Sequence, residues 1–118
     1  MRQKTVKARE NARRRYAELS ALMETATGHA VPQVCRESEY VWERAMIARR
    51  MREEGFSLYQ IGAAMGKNHS TVINALKRMA GVEEFPRMYW DILPIWEKFK
   101  KLVENETDGT AIQDTCGL

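Results

Sequence analysis

The chain has 118 residues, a mass of 13.7 kDa, 44% hydrophobic residues and a net charge of +3, which is typical of one small globular domain. Two cysteines, Cys35 and Cys116, are too few to predict a disulfide framework, and with two histidines they form no zinc-binding spacing, so we expect reduced thiols and no bound metal. No apolar run approaches the roughly 20 residues that cross a membrane and no signal-peptide pattern is present, which predicts a cytoplasmic protein without a membrane partner.

The charge is unevenly distributed along the chain. Residues 1–79 contain 15 Lys and Arg against 8 Asp and Glu, a net charge of +7, whereas residues 80–118 contain 4 against 8, a net charge of −4. This asymmetry favours a polyanion-binding part with an acidic extension. The alternative is a solvated basic surface that has no partner.

The first predicted element covers residues 2–27, as one helix or as two in series. Its second half carries an apolar stripe that should pack, formed by Tyr16, Leu19, Leu22, Met23 and Ala26. Its first half is rich in cations, namely Lys4, Lys7, Arg9, Arg13, Arg14 and Arg15. We expect residues 1–15 to form either a disordered basic arm or a helix that lies along a phosphate backbone.

A break at residues 28–32 precedes a second long helix, which we expect to run from Ser38 or Glu39 to Glu54. Its apolar residues form one broad stripe, and Trp42 at the edge of that stripe is expected to be a core residue rather than a platform for stacked bases. Its outward arginines alternate with glutamates, including Glu43, which predicts a solvated face with weak ion pairs.

Residues 58–79 predict two short helices joined by a tight turn. Leu58, Ile61 and Met65 share one face of the first helix, and Gly66 ends it because glycine adopts the left-handed conformation without a steric penalty. Gly62 would let the two helices cross closely. This is the pattern of a helix-turn-helix, although an ordinary helical hairpin needs the same spacing.

The second of these helices carries the side chains that could contact DNA. Either Asn68 or Ser70 would cap it, and its inward residues would be Val72, Ile73, Leu76 and Met79. In a docked helix-turn-helix, the N-terminal residues of this second helix contact base edges in the major groove. Side chains able to contact phosphates or bases stand in its first and last turns: Lys67, Asn68, His69, Ser70, Thr71, Lys77 and Arg78.

Two runs within this stretch carry a family resemblance. Residues 57–62 are Ser-Leu-Tyr-Gln-Ile-Gly, and residues 66–72 are Gly-Lys-Asn-His-Ser-Thr-Val. They resemble the C-terminal, duplex-DNA-binding domain of the bacterial replication initiator DnaA, whose signature is Ser-Leu-x-x-Ile-Gly followed by Gly-Gly-Arg-Asp-His-Thr-Thr-Val. The resemblance covers about residues 22–79, and it is specific in the signature and loose elsewhere.

The resemblance implies a role for each matching position. The signature Asp, His and Thr contact bases, which implies base contacts by Asn68, His69 and Ser70. The Thr that follows contacts the DNA backbone and matches Thr71, while the signature Arg matches Lys67. We expect Lys77 and Arg78, at the other end of the helix, to hold phosphates as well.

The chain departs from the family pattern at three places. Asn68 stands for Asp, and because an amide donates as well as accepts, it can pair with adenine in two places, so the preferred DNA sequence should differ. Arg36 is the sole candidate for the family's minor-groove arginine, and Glu37 and Glu39 beside it would repel phosphates. No Gly-x-x-x-x-Gly-Lys-Ser/Thr loop occurs, so we expect no nucleotide cofactor.

The C-terminal part is predicted to be a separate aromatic extension. Residues 81–86 form a connector, and Pro94 would kink the following helix or begin a second one. We favour packing of its apolar residues within the fold. The alternative is a homodimer or protein-partner surface formed by Tyr89, Trp90, Trp96 and Phe99.

The sequence therefore predicts an all-α fold, a small helical bundle that contains a helix-turn-helix and an added C-terminal aromatic helix. We divide it into a basic arm or helix at residues 1–15, the helix-turn-helix domain at 16–80, the extension at 81–104 and a polar tail at 105–118. The predicted function is sequence-specific binding of double-stranded DNA, as a regulator or a replication accessory. The alternative is a protein-interaction adaptor. We find no catalytic constellation, because adjacent His69 and Ser70 point to different sides of a helix.

Overall fold

A computed structural model describes residues 2–29 and 38–116, with side chains at residues 7–29 and 40–106. These residues form five α-helices and one 3₁₀ helix, without any β-strand, which confirms the predicted all-α class. None of the helices in the described part of the chain is long and apolar enough to cross a membrane. The elements are α1 (Arg2–Thr27), α2 (Ser38–Glu53), α3 (Leu58–Met65), α4 (His69–Glu84), the 3₁₀ helix (Pro86–Tyr89) and α5 (Leu93–Cys116).

The core lies where α1 packs against α2, α3 and α5, and where α2 packs against α4. Fully burying one of its large apolar side chains stabilises the fold by about 1.5–3 kcal/mol. The largest fully buried apolar residues are Leu19, Met23, Met46, Ile47, Met51, Ile61, Val72, Met79, Val82, Phe99 and Val103. These residues come from every α-helix, so each helix depends on the others for its burial.

The N-terminal region is one continuous helix rather than two in series. The expected boundary between residues 15 and 16 therefore falls inside α1. Ala12 is fully buried, so the contact of α1 with the core begins before that boundary.

Arg15, which we had counted among the cations of the arm, lies in an ion cluster. Its guanidinium donates hydrogen bonds to both carboxylate oxygens of Glu54 at 2.8 and 2.7 Å, and to Glu106 at 3.0 Å. Arg50 also donates to Glu54, at 2.8 Å. Burial alone would raise the pKa of Glu54, but the hydrogen bonds from Arg15 and Arg50 outweigh it and lower the pKa of this carboxyl below its usual value. The cluster ties α1, the end of α2 and α5 together.

Helix α2 differs from its prediction at Glu43. This side chain is 1% exposed rather than solvated, and its two carboxylate oxygens lie 3.0 and 2.9 Å from Nε2 of His29. A carboxylate is tolerated in such a place only when it is paired and hydrogen-bonded. The sequence pattern could not show this, because His29 lies just beyond the end of α1, 14 residues before Glu43 in the chain.

The expected connector at residues 81–86 was wrong for its first four residues. Helix α4 continues through Gly81 to Glu84, because Val82 is fully buried and gives the helix a further apolar contact. Pro86 then begins the 3₁₀ helix. Pro94 stands at the second position of α5, where its missing N–H costs nothing, so it begins that helix rather than kinking it.

The ion cluster gives a prediction about stability. Replacing Arg15 with Met should lower the free energy of unfolding by about 1–3 kcal/mol, because it leaves the half-buried Glu54 carboxylate without its two-point partner. Arg14→Met is the matched control, since Arg14 is exposed on the same helix, and it should change stability by less than about 0.5 kcal/mol. Chemical denaturation of both variants checks this. Equal losses in the two variants would show that the cluster has no special role.

Candidate nucleic-acid interface

Helix α3 and the turn that follows it have well-defined caps. Ser57 and Gln60 form a capping box: the Gln60 N–H donates to Ser57 Oγ at 3.1 Å, and the Ser57 N–H donates to Gln60 Oε1 at 2.8 Å. Gly66 ends the helix with φ 69°, in the left-handed region, which confirms the helix end predicted at this residue. The Lys67 N–H then donates to the Gly62 carbonyl at 2.8 Å and closes the turn.

Gly62 allows the backbone of the turn to approach α3. A Cβ atom at this position would lie 2.7 Å from the Lys67 carbonyl oxygen and 3.4 Å from the Asn68 carbonyl carbon. The sequence had suggested a close approach here, and the atoms that approach are those of the turn itself. The absence of a side chain at Gly62 therefore sets the position of the residues that begin α4.

Asn68 is the residue that caps α4. Its side-chain oxygen accepts a hydrogen bond from the Thr71 N–H at 3.0 Å and another from the Thr71 hydroxyl at 3.2 Å. Both acceptor positions of that oxygen are therefore used within the protein. In this conformation only the amide nitrogen of Asn68 can contact DNA, so the two-point contact with adenine that we expected is not available. A phosphate contact by Thr71 likewise requires its hydroxyl hydrogen to turn away from Asn68.

The face of α4 that points away from the core is polar and exposed. His69, Ser70 and Thr71 in its first turn are all exposed, and Lys67 just before it is half-buried. One turn and two turns further on, the same face presents Asn74, Lys77 and Arg78, also exposed. The opposite face buries Val72, Ala75, Met79 and Val82. Of the four inward residues we predicted, Ile73 and Leu76 are only half-buried.

Tyr59 lies beside the first turn of α4. Its ring is 71% exposed, and its centroid lies 4.8 Å from that of the His69 ring at an interplanar angle of 37°. This contact restricts the orientation of the imidazole, which is an otherwise exposed side chain. The sequence analysis did not identify Tyr59, although its position between the inward residues Leu58 and Ile61 of α3 indicated an exposed aromatic.

Two clefts lie on either side of the α4 N-terminus. The first has a volume of about 620 Å³ and is bounded by α1 on one side and the turn on the other; it is lined by Ala8, Arg9, Ser57, Tyr59, Gln60, Ala63, Lys67, Asn68 and His69. The second, of about 310 Å³, separates α2 from α4 and is lined by Val41, Arg44, Ala45, Met65, Lys67, Thr71, Asn74, Ala75 and Arg78. Lys67 lines both, so cationic groups surround the start of α4.

Arg78 is positioned by an aromatic side chain of α2. Its guanidinium carbon lies 5.7 Å from the ring centroid of Trp42, a cation–π arrangement. Trp42 also packs edge-on against Tyr89, with a centroid distance of 5.4 Å. Trp42 is half-buried against the core, in agreement with its predicted structural role.

The cations of α4 differ from those of α2 in their pairing. Arg49 of α2 is 3.0 Å from Glu83, and Arg50 is 2.8 Å from Glu54, so these charges are neutralised within the fold. Among the described side chains, neither Lys67 nor Lys77 forms an ion pair. The candidate interface thus keeps its positive charge available for an external anion.

Six of the seven candidates predicted between residues 67 and 78 are exposed, and Lys67 is half-buried at the edge of the surface that they form. Arg36, the remaining candidate for a backbone contact, lies outside the described residues. Arg44 and Asn74 also line this surface but were not among the predicted candidates. Asn74 follows Ser70 by four residues and Thr71 by three, so helical spacing alone could have identified it.

No group of three or more His, Cys, Asp or Glu side chains in the described part of the chain is arranged to hold a metal.

The aromatic surface proposed for a protein partner needs correction. Trp96 is 2% exposed and Phe99 is fully buried, and Tyr89 is half-buried against Trp42. Trp96 and Phe99 belong to the core because α5 packs against α1, and Tyr89, in the 3₁₀ helix, packs against that core. Trp90 remains exposed at 75%, and two residues that we had not included lie near it in the chain, Phe85 at 52% and Met88 at 72%.

Comparisons of the chain with protein-family models, with curated proteins and with solved structures found no match. The assignment of a function therefore depends on the geometry of this face and on the residues that form it.

Gly62 gives the first prediction for this site. Gly62→Ala should lower the free energy of unfolding by about 1–3 kcal/mol, because its Cβ would overlap the Lys67 carbonyl and force the turn to move. Gly81→Ala is the control: its Cβ would meet Tyr89 Oη at an ordinary 3.5 Å, and alanine favours a helix interior by about 0.5–1 kcal/mol. Thermal unfolding of both variants tests the difference. A Gly62→Ala protein as stable as the wild type would mean that the close approach is unimportant.

Asn68 gives the second prediction for this site. Asn68→Ala should reduce stability by about 0.5–2 kcal/mol through loss of the cap, whereas Asn68→Asp should retain most of it, because aspartate caps a helix as well as asparagine does. Urea titrations of the two variants, followed by circular dichroism, measure both effects. If alanine is tolerated without loss, Asn68 is not the residue that holds the start of α4.

Proposed function

We propose that this protein binds double-stranded DNA in a sequence-dependent manner, with the N-terminal end of α4 in the major groove. The observation that carries the proposal is the exposed polar and cationic face of α4, which begins at a capped N-terminus and lies next to unpaired cations. The face opposite it is buried in the core, so the fold presents this surface outward.

The dimensions of α4 suit this role. It has 16 residues, which corresponds to a length of about 24 Å, and the major groove of B-DNA is about 12 Å wide and admits one α-helix. His69 and Ser70 stand in the first turn, where a docked recognition helix contacts base edges. His69 is further oriented by its contact with Tyr59, so less side-chain entropy is lost when it binds.

Asn68 would act as a hydrogen-bond donor. Because its oxygen caps α4, its amide nitrogen would face acceptors in the groove, such as N7 of a purine or O6 of guanine. This differs from a carboxylate at the same position, which accepts only. We therefore infer that the preferred DNA sequence differs from that of the DnaA family, whose signature has Asp at the position of Asn68.

Contacts with the sugar-phosphate backbone would come from both ends of α4. Lys67 stands before its first turn, while Lys77 and Arg78 lie in its second half. Thr71 can add a hydroxyl contact, and Arg36 remains a prediction from the resemblance alone. Each phosphate that these groups neutralise steepens the salt dependence of binding by about 0.9 in logarithmic slope.

The resemblance to the DnaA duplex-binding domain supports the same orientation, since its base-contacting positions match Asn68, His69 and Ser70. We propose that the protein acts as a regulator of transcription or as a replication accessory.

A second candidate function is that of a protein-interaction adaptor, favoured by the exposed apolar residues Phe85, Met88 and Trp90. Such side chains are common anchors in protein interfaces. The variant that tests this is Trp90→Ala, because Trp96 is buried and its replacement would disturb the core. Loss of a protein partner with unchanged DNA binding would favour the adaptor.

Selection of bound duplexes from a random pool at about 150 mM salt tests the main proposal, since screening at this ionic strength weakens non-specific phosphate binding. We expect a short enriched motif. His69→Ala should then lower affinity for that motif by about 1–3 kcal/mol and relax the preference at one base position.

Lys77→Ala is the comparison for His69→Ala, because a phosphate contact carries no sequence information. It should weaken binding to all duplexes by the same factor and leave their ranking unchanged. Unchanged ranking after His69→Ala would mean that His69 does not contact bases, and a pool without an enriched motif would count against sequence-dependent binding altogether.

A further inference from the structure

We infer that the N-terminal half of α1 is a second DNA-contact element, which binds the sugar-phosphate backbone flanking the groove that α4 enters. This inference rests on the proposed function, and it assigns the role to Arg9 and Arg13 in particular. The sequence had left two interpretations of residues 1–15 open, a disordered arm or a helix along phosphates.

The first step in the argument is that this part of α1 is helical and anchored. The helix is continuous from Arg2, and Ala12, Tyr16 and Leu19 bury one of its faces against the core. Arg15 holds it from the side through Glu54 and Glu106. A helix anchored in this way presents its remaining side chains in fixed directions.

The second step is the position of these side chains. Arg9 lines the 620 Å³ cleft together with Lys67 and His69, so α1 and the start of α4 form the two walls of one cleft. Arg13 lines a neighbouring depression with Ala63, Ala64 and Gly66, at the turn before α4. The two arginines are four residues apart and therefore share one face of α1, about 6 Å apart along its axis.

The third step is that these two arginines are not paired with other side chains in the described part of the fold. Among the side chains that the structure describes, Arg9 and Arg13 form neither an ion pair nor a hydrogen bond, in contrast to Arg15 on the same helix. Both are exposed. Unpaired guanidinium groups beside a recognition helix are complementary in charge to phosphates, and their planar set of N–H donors fits the phosphate oxygens.

DNA with its major groove on α4 would bring a backbone strand to the edge of the same cleft. Lys67 would contact that strand from the α4 side, and Arg9 and Arg13 would contact it from α1. Because these contacts involve phosphates only, they add affinity without adding sequence preference.

The test compares two double variants of the full chain. Arg9→Gln/Arg13→Gln removes the proposed contacts while keeping good helix formers. Lys98→Gln/Lys101→Gln removes the same charge from two exposed positions of α5, which line neither cleft. Circular dichroism and thermal unfolding should show both variants folded like the wild type.

Affinity for a mixed-sequence 30-base-pair duplex and for the selected motif would be measured from about 50 to 200 mM salt. With the Arg9 and Arg13 variant we expect a logarithmic slope smaller by about 1.8, so that the loss of affinity over this range is about tenfold less than in the wild type. The enriched motif should stay the same. The α5 variant should retain the wild-type slope.

Equal slopes in the two variants would overturn the inference about α1. A wild type that selects no motif while the Arg9 and Arg13 variant still has a reduced slope would refute sequence-dependent binding but uphold α1 as a phosphate-binding element. A change of the enriched motif in the Arg9 and Arg13 variant would also overturn the inference, since phosphate contacts carry no base preference.

Discussion

The close approach of the turn to Gly62 is the constraint on which the rest of the surface depends. The Lys67 N–H bonds to the Gly62 carbonyl, and the Lys67 carbonyl occupies the space that any larger residue would fill. This geometry places Asn68 where it caps α4, and the cap in turn fixes the direction in which His69 and Ser70 emerge. The polar face of α4 is thus positioned by the backbone packing at Gly62 together with the Asn68 cap.

A second layer of organisation comes from α1. Its apolar face completes the core, Arg15 joins it to α2 and α5, and its exposed arginines lie beside the turn. One helix therefore both supports α3 and the turn before α4 and extends the positive charge around them. Similarly, Trp42 supports Arg78 from α2. The cations of the candidate interface are held by the same elements that stabilise the fold.

Local patterns predicted α3, α4 and the turn between them well, because their signals lie within a few residues of one another. Gly66, the Asn68 cap and the spacing of Ile61, Val72 and Met79 all follow from neighbouring positions. The sequence could not show that Glu43 meets His29 or that Arg15 meets Glu54, since both pairs join distant parts of the chain. It also could not distinguish a buried aromatic from an exposed one in residues 85–99. There the apolar residues are dense, and only the packing of α5 on α1 separates Trp96 from Trp90.

Amide chemical shifts would show whether DNA contacts the start of α4. A ¹⁵N-labelled full chain would be titrated with a short duplex at about 150 mM salt, a condition that partly screens non-specific binding. We expect the largest changes at residues 67–71 and at residues 8–13, on the two walls of the cleft. Changes confined to residues 85–90, with the start of α4 unaffected, would contradict this expectation.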